Sequence, residues 1–274
     1  MKKWIITLCS FIVMFFIADS WLFKSKTVSE GQLLYTPIQQ YEVTTGSLIL
    51  INKQHAINKE YIPTDLVPLA DHSLAALGFE TSDSSITISS TLLQIVSSLF
   101  NGAKKDDVTG FRINSSYRST EQQQTLFDTL SASYALPAGH SEHHLGLALD
   151  IGSQNGSMDE TAEGKWLHKN AWKYGFILRY PADKVAITGI EYEAWHFRYV
   201  GLPHSAVMQQ ENWVLEEYLA YLKEHGSYEA RVNKRDYTIR YYEMTENLEV
   251  PIYSGKSYQI SGDNQSGVVV TIEH

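Results

Sequence analysis

Apolar residues recur at three- and four-residue spacing between Ser85 and Phe100, where Leu92, Ile95, Val96 and Leu99 mark one buried helical face. The same period predicts a helix over Thr161–Tyr174, with Leu167, Ala171 and Tyr174 on one stripe and Gly175 as its C-cap. A third helix is expected over His204–His225. Val207, Val214, Leu215, Tyr218, Leu219 and Leu222 form its buried side, and Gly226 ends it. Short apolar runs and alternation predict strands at Ser47–Asn52, Gly110–Asn114, Leu147–Ile151, Phe176–Tyr180 and Trp195–Val200. Ile62-Pro63 and Val67-Pro68 make the stretch around them an extended loop, because proline biases its predecessor away from helix. Ser119 is placed to cap a helix carrying Gln122, Gln123 and Gln124, with Glu121 in the first turn, where negative charge is favoured.

The two ends of the chain read differently. Trp4 to Phe23 is an almost unbroken apolar run behind Lys2 and Lys3, about the 20 residues a bilayer crossing takes. Ala18-Asp19-Ser20 is a poor cleavage site and Trp21-Leu22-Phe23 prolong the run, so it reads as an uncleaved signal-anchor. The two lysines then stay inside and the bulk of the chain lies outside, as a single-pass protein of the cell membrane with an extracellular domain. The expected division is an anchor at 1–26, a polar stalk at 27–46, a main domain at 47–226 and a β-rich appendage at 227–274. No repeat or low-complexity tract is visible.

Composition narrows the function. The net charge of −9 argues against a nucleic-acid partner, which wants a basic footprint, and against tight docking on anionic lipid. The lone Cys9 excludes both a thiolate metal site and an intrachain disulfide. Metal ligands must then come from His, Asp and Glu. The stretch from Gly139 to Gly152 gathers His140, His143, His144 and Asp150, and can supply two ligands. Glu191 to Gly201 offers His196 as a third and Glu193 as a base. A catalytic zinc takes three protein ligands and keeps one position open. Spacing alone does not choose among the three histidines of the first stretch.

The first stretch resembles the Ser-x-His-x-x-Gly-x-Ala-x-Asp signature of VanY-type zinc D-Ala-D-Ala carboxypeptidases, here Ser141, His143, Gly146, Ala148 and Asp150. The second is similar to the Glu-x-Trp-His element of that family, here Glu193, Trp195 and His196. Ser115-Ser116-Tyr117-Arg118-Ser119 stands for its Ser-Gly-Tyr-Arg-Ser element. Ser116 replaces a common glycine and Ala194 a common proline, and neither change removes a ligand. The resemblance spans roughly residues 45 to 225 with the elements in family order. It implies one zinc per chain on His143, Asp150 and His196, with Glu193 as general base and acid. Arg118 would steady the oxyanion or grip the substrate's terminal carboxylate. Ser141 would hydrogen-bond that carboxylate, and Gln123, Tyr117 and Trp195 would join it in binding substrate.

The implied fold is α+β, hedgehog/DD-peptidase-like: a small antiparallel sheet with helices packed on it and the zinc site on its open face. The implied reaction removes the terminal D-alanine from peptidoglycan precursors or stem pentapeptides, with a contribution to glycopeptide (vancomycin) resistance. Rival readings are an L,D-carboxypeptidase acting on tetrapeptides, a wall endopeptidase, and a zinc-free wall-binding protein, which would lack a ligand or base. Residues in a strand alternate faces. His143 and Asp150, and Glu193 and His196, are therefore expected to be separated by a loop or turn, with Gly146 permitting the first.

Overall fold

The computed structural model describes residues 31–59, 61–129 and 136–274. The expected anchor at 1–26 lies outside them. Among the described residues no helix is long and apolar enough to cross a membrane.

In chain order these residues form β1 (Leu33–Pro37), β2 (Leu66–Pro68), α1 (Leu74–Leu77), β3 (Phe79–Thr81), β4 (Thr87–Ser89), α2 (Ser90–Lys105), β5 (Phe111–Ser115) and α3 (Thr120–Thr129). There follow β6 (Ala148–Ser153), α4 (Ala162–Asn170), β7 (Phe176–Leu178), α5 (Val185–Thr188), β8 (His196–Tyr199), α6 (His204–Glu211) and α7 (Leu215–His225). The chain continues through β9 (Ser227–Val232), β10 (Arg235–Glu243), β11 (Glu249–Tyr253), β12 (Tyr258–Gly262) and β13 (Gly267–Glu273).

The sheet that positions the site has the order β3-β5-β6-β8-β7. Its pairings are antiparallel except β3 with β5. The sheet is thus mixed and not wholly antiparallel as expected. β3 is three residues long and enters from Gly78 at φ +90°, too short for periodicity to mark it. Alternation along the strands sorts the two faces. Phe111 and Ile113, Leu149 and Ile151, and Phe197 are fully buried against Leu92, Val96, Leu99 and Phe100 of α2 and Leu167 of α4. Asp150, His196 and Arg198 occupy the alternate positions and face the other way.

Three expectations shift. The helix predicted over Ser85–Phe100 begins at Ser90 and runs to Lys105. Ser89 caps it, accepting from the Leu92 N–H at 3.2 Å, and the residues before it pair as β4 with β2. The helix predicted over His204–His225 breaks at Asn212, which adopts a left-handed conformation at φ +53°, as asparagine does more readily than most residues. Ser47–Asn52, buried from Leu48 on, is no strand. Its backbone groups go to side chains and a loop: Arg198 donates to the Ser47 and Ile49 carbonyls, and Ser261 Oγ accepts from the Leu48 N–H.

The stalk and appendage are also corrected. β1 pairs with β11, and Ile38 and Val43 are buried beside Val250 and Ile252, so this part of 27–46 belongs to the folded body. The C-terminal sheet, β12-β13-β10-β9, shares one core with Leu48, Leu50, α6 and α7. β1 is exposed along nearly its whole length, so no buried period marks it in the sequence.

Candidate metal centre and catalytic site

Asp150 and His196 face each other in register across β6 and β8, on the face of the sheet turned away from α2. His143 reaches them from a short 3₁₀ turn, Glu142–Leu145. Ser141 caps that turn, its Oγ accepting from the His143 N–H at 3.3 Å. Gly146 closes it at φ +69°, a conformation glycine takes without steric cost, and the chain then enters β6. The expected separation of His143 from Asp150 is therefore a 3₁₀ turn with a glycine stop. Glu193 precedes β8 in a turn closed by the His196 N–H on the Glu193 carbonyl at 3.3 Å. That turn sets the Glu193 carboxylate 3.6 Å from His196 Nδ1.

His143 Nε2 lies 3.4 Å from Asp150 Oδ2, and His196 Nδ1 lies 3.2 Å from Asp150 Oδ1. The two imidazole rings stand nearly perpendicular at 87° with centroids 5.0 Å apart. One ligand atom from each of the three residues falls within 4.8 Å of the others. Two observations fit this set to a cation. His143 Nδ1 donates to the Ser116 carbonyl at 2.5 Å, which leaves Nε2 as a lone pair aimed at Asp150. Asp150 Oδ1 is buried and makes no hydrogen bond of good geometry. Two imidazoles and one carboxylate are a donor set that suits zinc.

A buried charge cluster lies under the centre. Glu142 Oε1 accepts from Arg179 Nε at 2.9 Å and from Arg198 Nη1 at 2.7 Å. Its other oxygen stands 3.4 Å from His196 Nε2. Arg179 forks onto Glu216 at 2.9 and 2.7 Å. Burial alone would raise the Glu142 carboxyl, but Arg179, Arg198 and His196 hold it well below the usual carboxylate range. A metal-ligating histidine commonly gives its second ring nitrogen to such a carboxylate. Nothing in the sequence singles out Glu142, Arg179 or Arg198, and the two arginines read there as ordinary strand residues.

The centre opens into a cavity of about 230 Å³ lined by Arg118, Gln123, Ser141, Glu193 and Trp195 among others. Burial raises the Glu193 carboxyl; His196 opposes that, and Asp150 and Glu142 add to it. Arg118 Nη1 donates to Gln123 Oε1 at 2.7 Å and Nη2 to Ser115 Oγ at 3.1 Å. Gln123 is buried and itself donates to the Leu136 carbonyl at 2.5 Å, so it holds Arg118 as well as lining the cavity. Trp195 is 44% exposed at the rim. Tyr117 is not among the cavity-lining residues. His144 is buried, with Nδ1 on the Arg118 carbonyl at 2.7 Å and Nε2 accepting from the Gly139 N–H at 3.0 Å. It braces the loop and faces no ligand atom. Tyr180, also on the cavity wall, packs its ring 4.9 Å from that of His196.

The electrostatics give a pH prediction. Burial would lower His196, yet the carboxylates of Asp150 and Glu142 raise it to about 9 in the metal-free protein. A raised histidine stabilises the fold fully below its unfolded value, about 6.5, and that contribution is lost as pH rises through the folded value. A metal needs the neutral ring and competes with the proton. The increase in Tm on adding zinc should therefore grow between about pH 6.5 and 9. Melting curves with and without zinc across that range check this, and a constant increment would contradict it.

The family model described as VanY, D-alanyl-D-alanine carboxypeptidase, matches residues 85–202. A D-alanyl-D-alanine carboxypeptidase of Enterococcus faecium is 47% identical over 235 residues, covering 86% of this chain and 78% of the relative. Among solved structures, the vancomycin-resistance D,D-dipeptidase VanXYg with a D-Ala-D-Ala phosphinate analogue matches with TM-score 0.77 and 29% identity, over 89% of this chain and 100% of that one. A mutant of the D,D-pentapeptidase VanY from a VanB-type resistance cassette, in complex with Zn(II), matches with TM-score 0.53 and 33% identity, over 63% and 98%.

Proposed function

The chain belongs to the VanY family of D-alanyl-D-alanine carboxypeptidases, and from that premise we propose that the cavity is where the terminal D-alanine is cut from peptidoglycan stem pentapeptides. The protein is a zinc-dependent D,D-carboxypeptidase of the kind related to vancomycin resistance. The observation that carries this reading is the convergence of His143, Asp150 and His196 with Glu193 in one cavity.

His143 Nε2, Asp150 and His196 Nδ1 are the atoms that would hold the zinc. When bound, zinc lowers the pKa of a water to about 7 and polarises the scissile carbonyl. Glu193 takes the proton that the water gives up and hands it to the leaving amine of D-alanine. Its raised carboxyl suits both halves of that exchange. The Ser116 carbonyl fixes the His143 ring, and Glu142 places a negative charge behind His196, 3.4 Å from Nε2. Arg118, held by Gln123 and Ser115, supplies positive charge beside Asp150, with Nη2 4.0 Å from Oδ2. Ser141 and Trp195 lie where substrate would enter. No serine nucleophile is needed, so penicillin should leave the activity intact.

Trp4 to Phe23 supports a single-pass anchor with this domain outside the cell. Membrane fractionation of the full chain against one beginning at Thr27 tests the anchor. Retention of the shorter chain in the membrane fraction would reject it.

The reaction is tested by incubating the enzyme with a stem pentapeptide, the matching tetrapeptide and a cross-linked dimer. Release of D-alanine from the pentapeptide is expected to exceed release from the tetrapeptide, with the dimer uncut. Preference for the tetrapeptide would make this an L,D-carboxypeptidase, and cleavage of the dimer an endopeptidase.

A further inference from the structure

Among the described residues the cavity wall carries one arginine and one lysine, and the proton chemistry above uses neither directly. Arg118 stands beside the metal ligands. The lysine is Lys53. Its Nζ donates to the Gly189 carbonyl at 2.6 Å and pairs with no carboxylate among the described residues. An ammonium has three N–H donors, so two remain for a ligand. We infer that Lys53, with the Ser141 hydroxyl, binds the C-terminal carboxylate of the substrate, which leaves Arg118 to face the reacting carbonyl. This assignment rests on the carboxypeptidase reading.

The geometry separates the two cations by task. The scissile carbonyl has to lie against the metal ligands, and Arg118 Nη2 is 4.0 Å from one of them. The terminal carboxylate sits one residue further along the substrate, about 3.8 Å on. Lys53 and Ser141 share a wall: His140 Nδ1 bonds the Asn52 carbonyl at 2.8 Å, so the segments carrying the two residues are joined immediately before each of them. Ser141 Oγ uses its lone pair on the His143 N–H, and its hydrogen is left to donate.

Lys53 is exposed, but its backbone is fixed. Asn52 Oδ1 accepts from the N–H groups of Gln54 and His55, both at 3.0 Å, and folds a tight turn with Lys53 inside it. Asn264, in the turn between β12 and β13, donates to the Leu50 carbonyl at 3.0 Å and the Ala56 carbonyl at 2.8 Å. It pins the turn on both sides of Lys53. The C-terminal sheet therefore acts on substrate selection through Asn264 as a positioning residue. A cation held in place loses less freedom on binding than a free surface lysine.

The test compares a D-Ala-D-Ala-terminated pentapeptide with its C-terminal amide, using the full chain loaded with zinc. The wild type should favour the free acid by about tenfold or more in kcat/KM, the size of one charged contact. Lys53→Met should reduce that preference by about tenfold, mainly through KM for the free acid, with zinc content and Tm unchanged. Arg118→Met should lower kcat on both peptides and keep the preference. Asn264→Ala should shift the preference in the same direction as Lys53→Met, by a smaller factor. A Lys53→Met enzyme that retained the wild-type preference, or that lost activity equally on both peptides, would overturn the assignment. A wild type with no preference would sink the carboxypeptidase reading itself and take the assignment with it.

Discussion

Glu193→Ala lowers hydrolysis by about 10²–10⁴-fold, the range expected for loss of a general acid–base group, while zinc stays bound. The side chain sits in a turn before β8 with its carboxylate 3.6 Å from His196 Nδ1. It is close enough to serve the same water, yet it comes from outside the three-residue set whose ligand atoms converge. Its carboxyl is held up by burial and by Asp150 and Glu142, which makes it a better proton acceptor than an exposed glutamate. His143→Ala should behave differently and lose zinc along with activity. Parallel measurement of zinc content and D-alanine release separates the two roles. If Glu193→Ala lost zinc as readily as His143→Ala, Glu193 would be a ligand.

Glu142→Ala should destabilise the fold by about 3–5 kcal/mol, the cost of leaving buried charges unpaired. Glu142 and both arginines that bond it are fully buried side chains. Arg179 keeps Glu216 after the change, but Arg198 keeps only neutral partners, the Ser47, Ile49 and Tyr199 carbonyls. His196 also loses the carboxylate facing Nε2. Glu142→Gln keeps the shape and one acceptor, and should cost less. Urea unfolding of the two variants in metal-free form measures this. A change under about 1 kcal/mol for Glu142→Ala would show that the cluster relaxes or takes in water.

These two residues mark how far the site is legible in the sequence. Glu193, His143, Asp150 and His196 stand in short local patterns, and two of the three motif elements are enough to single them out. Alternation places Asp150 and His196 on the face opposite Leu149 and Phe197, so the open face of the sheet follows from the strands themselves. Glu142 stands between Ser141 and His143 in the same motif, yet its role comes from Arg179 and Arg198, which lie 37 and 56 residues away in the chain. No local period carries such a contact. The same holds for Lys53, whose place in the cavity depends on a turn pinned from Asn264. Among the elements, β3 and β4 are three residues each, shorter than any usable window. β1 reads as polar stalk because its partner, β11, lies more than two hundred residues later.

Zinc dependence is tested most directly by a zinc titration of one sample. The purified enzyme is stripped with a chelator, its metal content is measured, and D-alanine release from the pentapeptide is followed as zinc is returned. The stripped protein should be inactive, and recovery should saturate at one zinc per chain, with His143→Ala recovering neither zinc nor activity. Full activity in thoroughly metal-free protein, or recovery in His143→Ala, would contradict it.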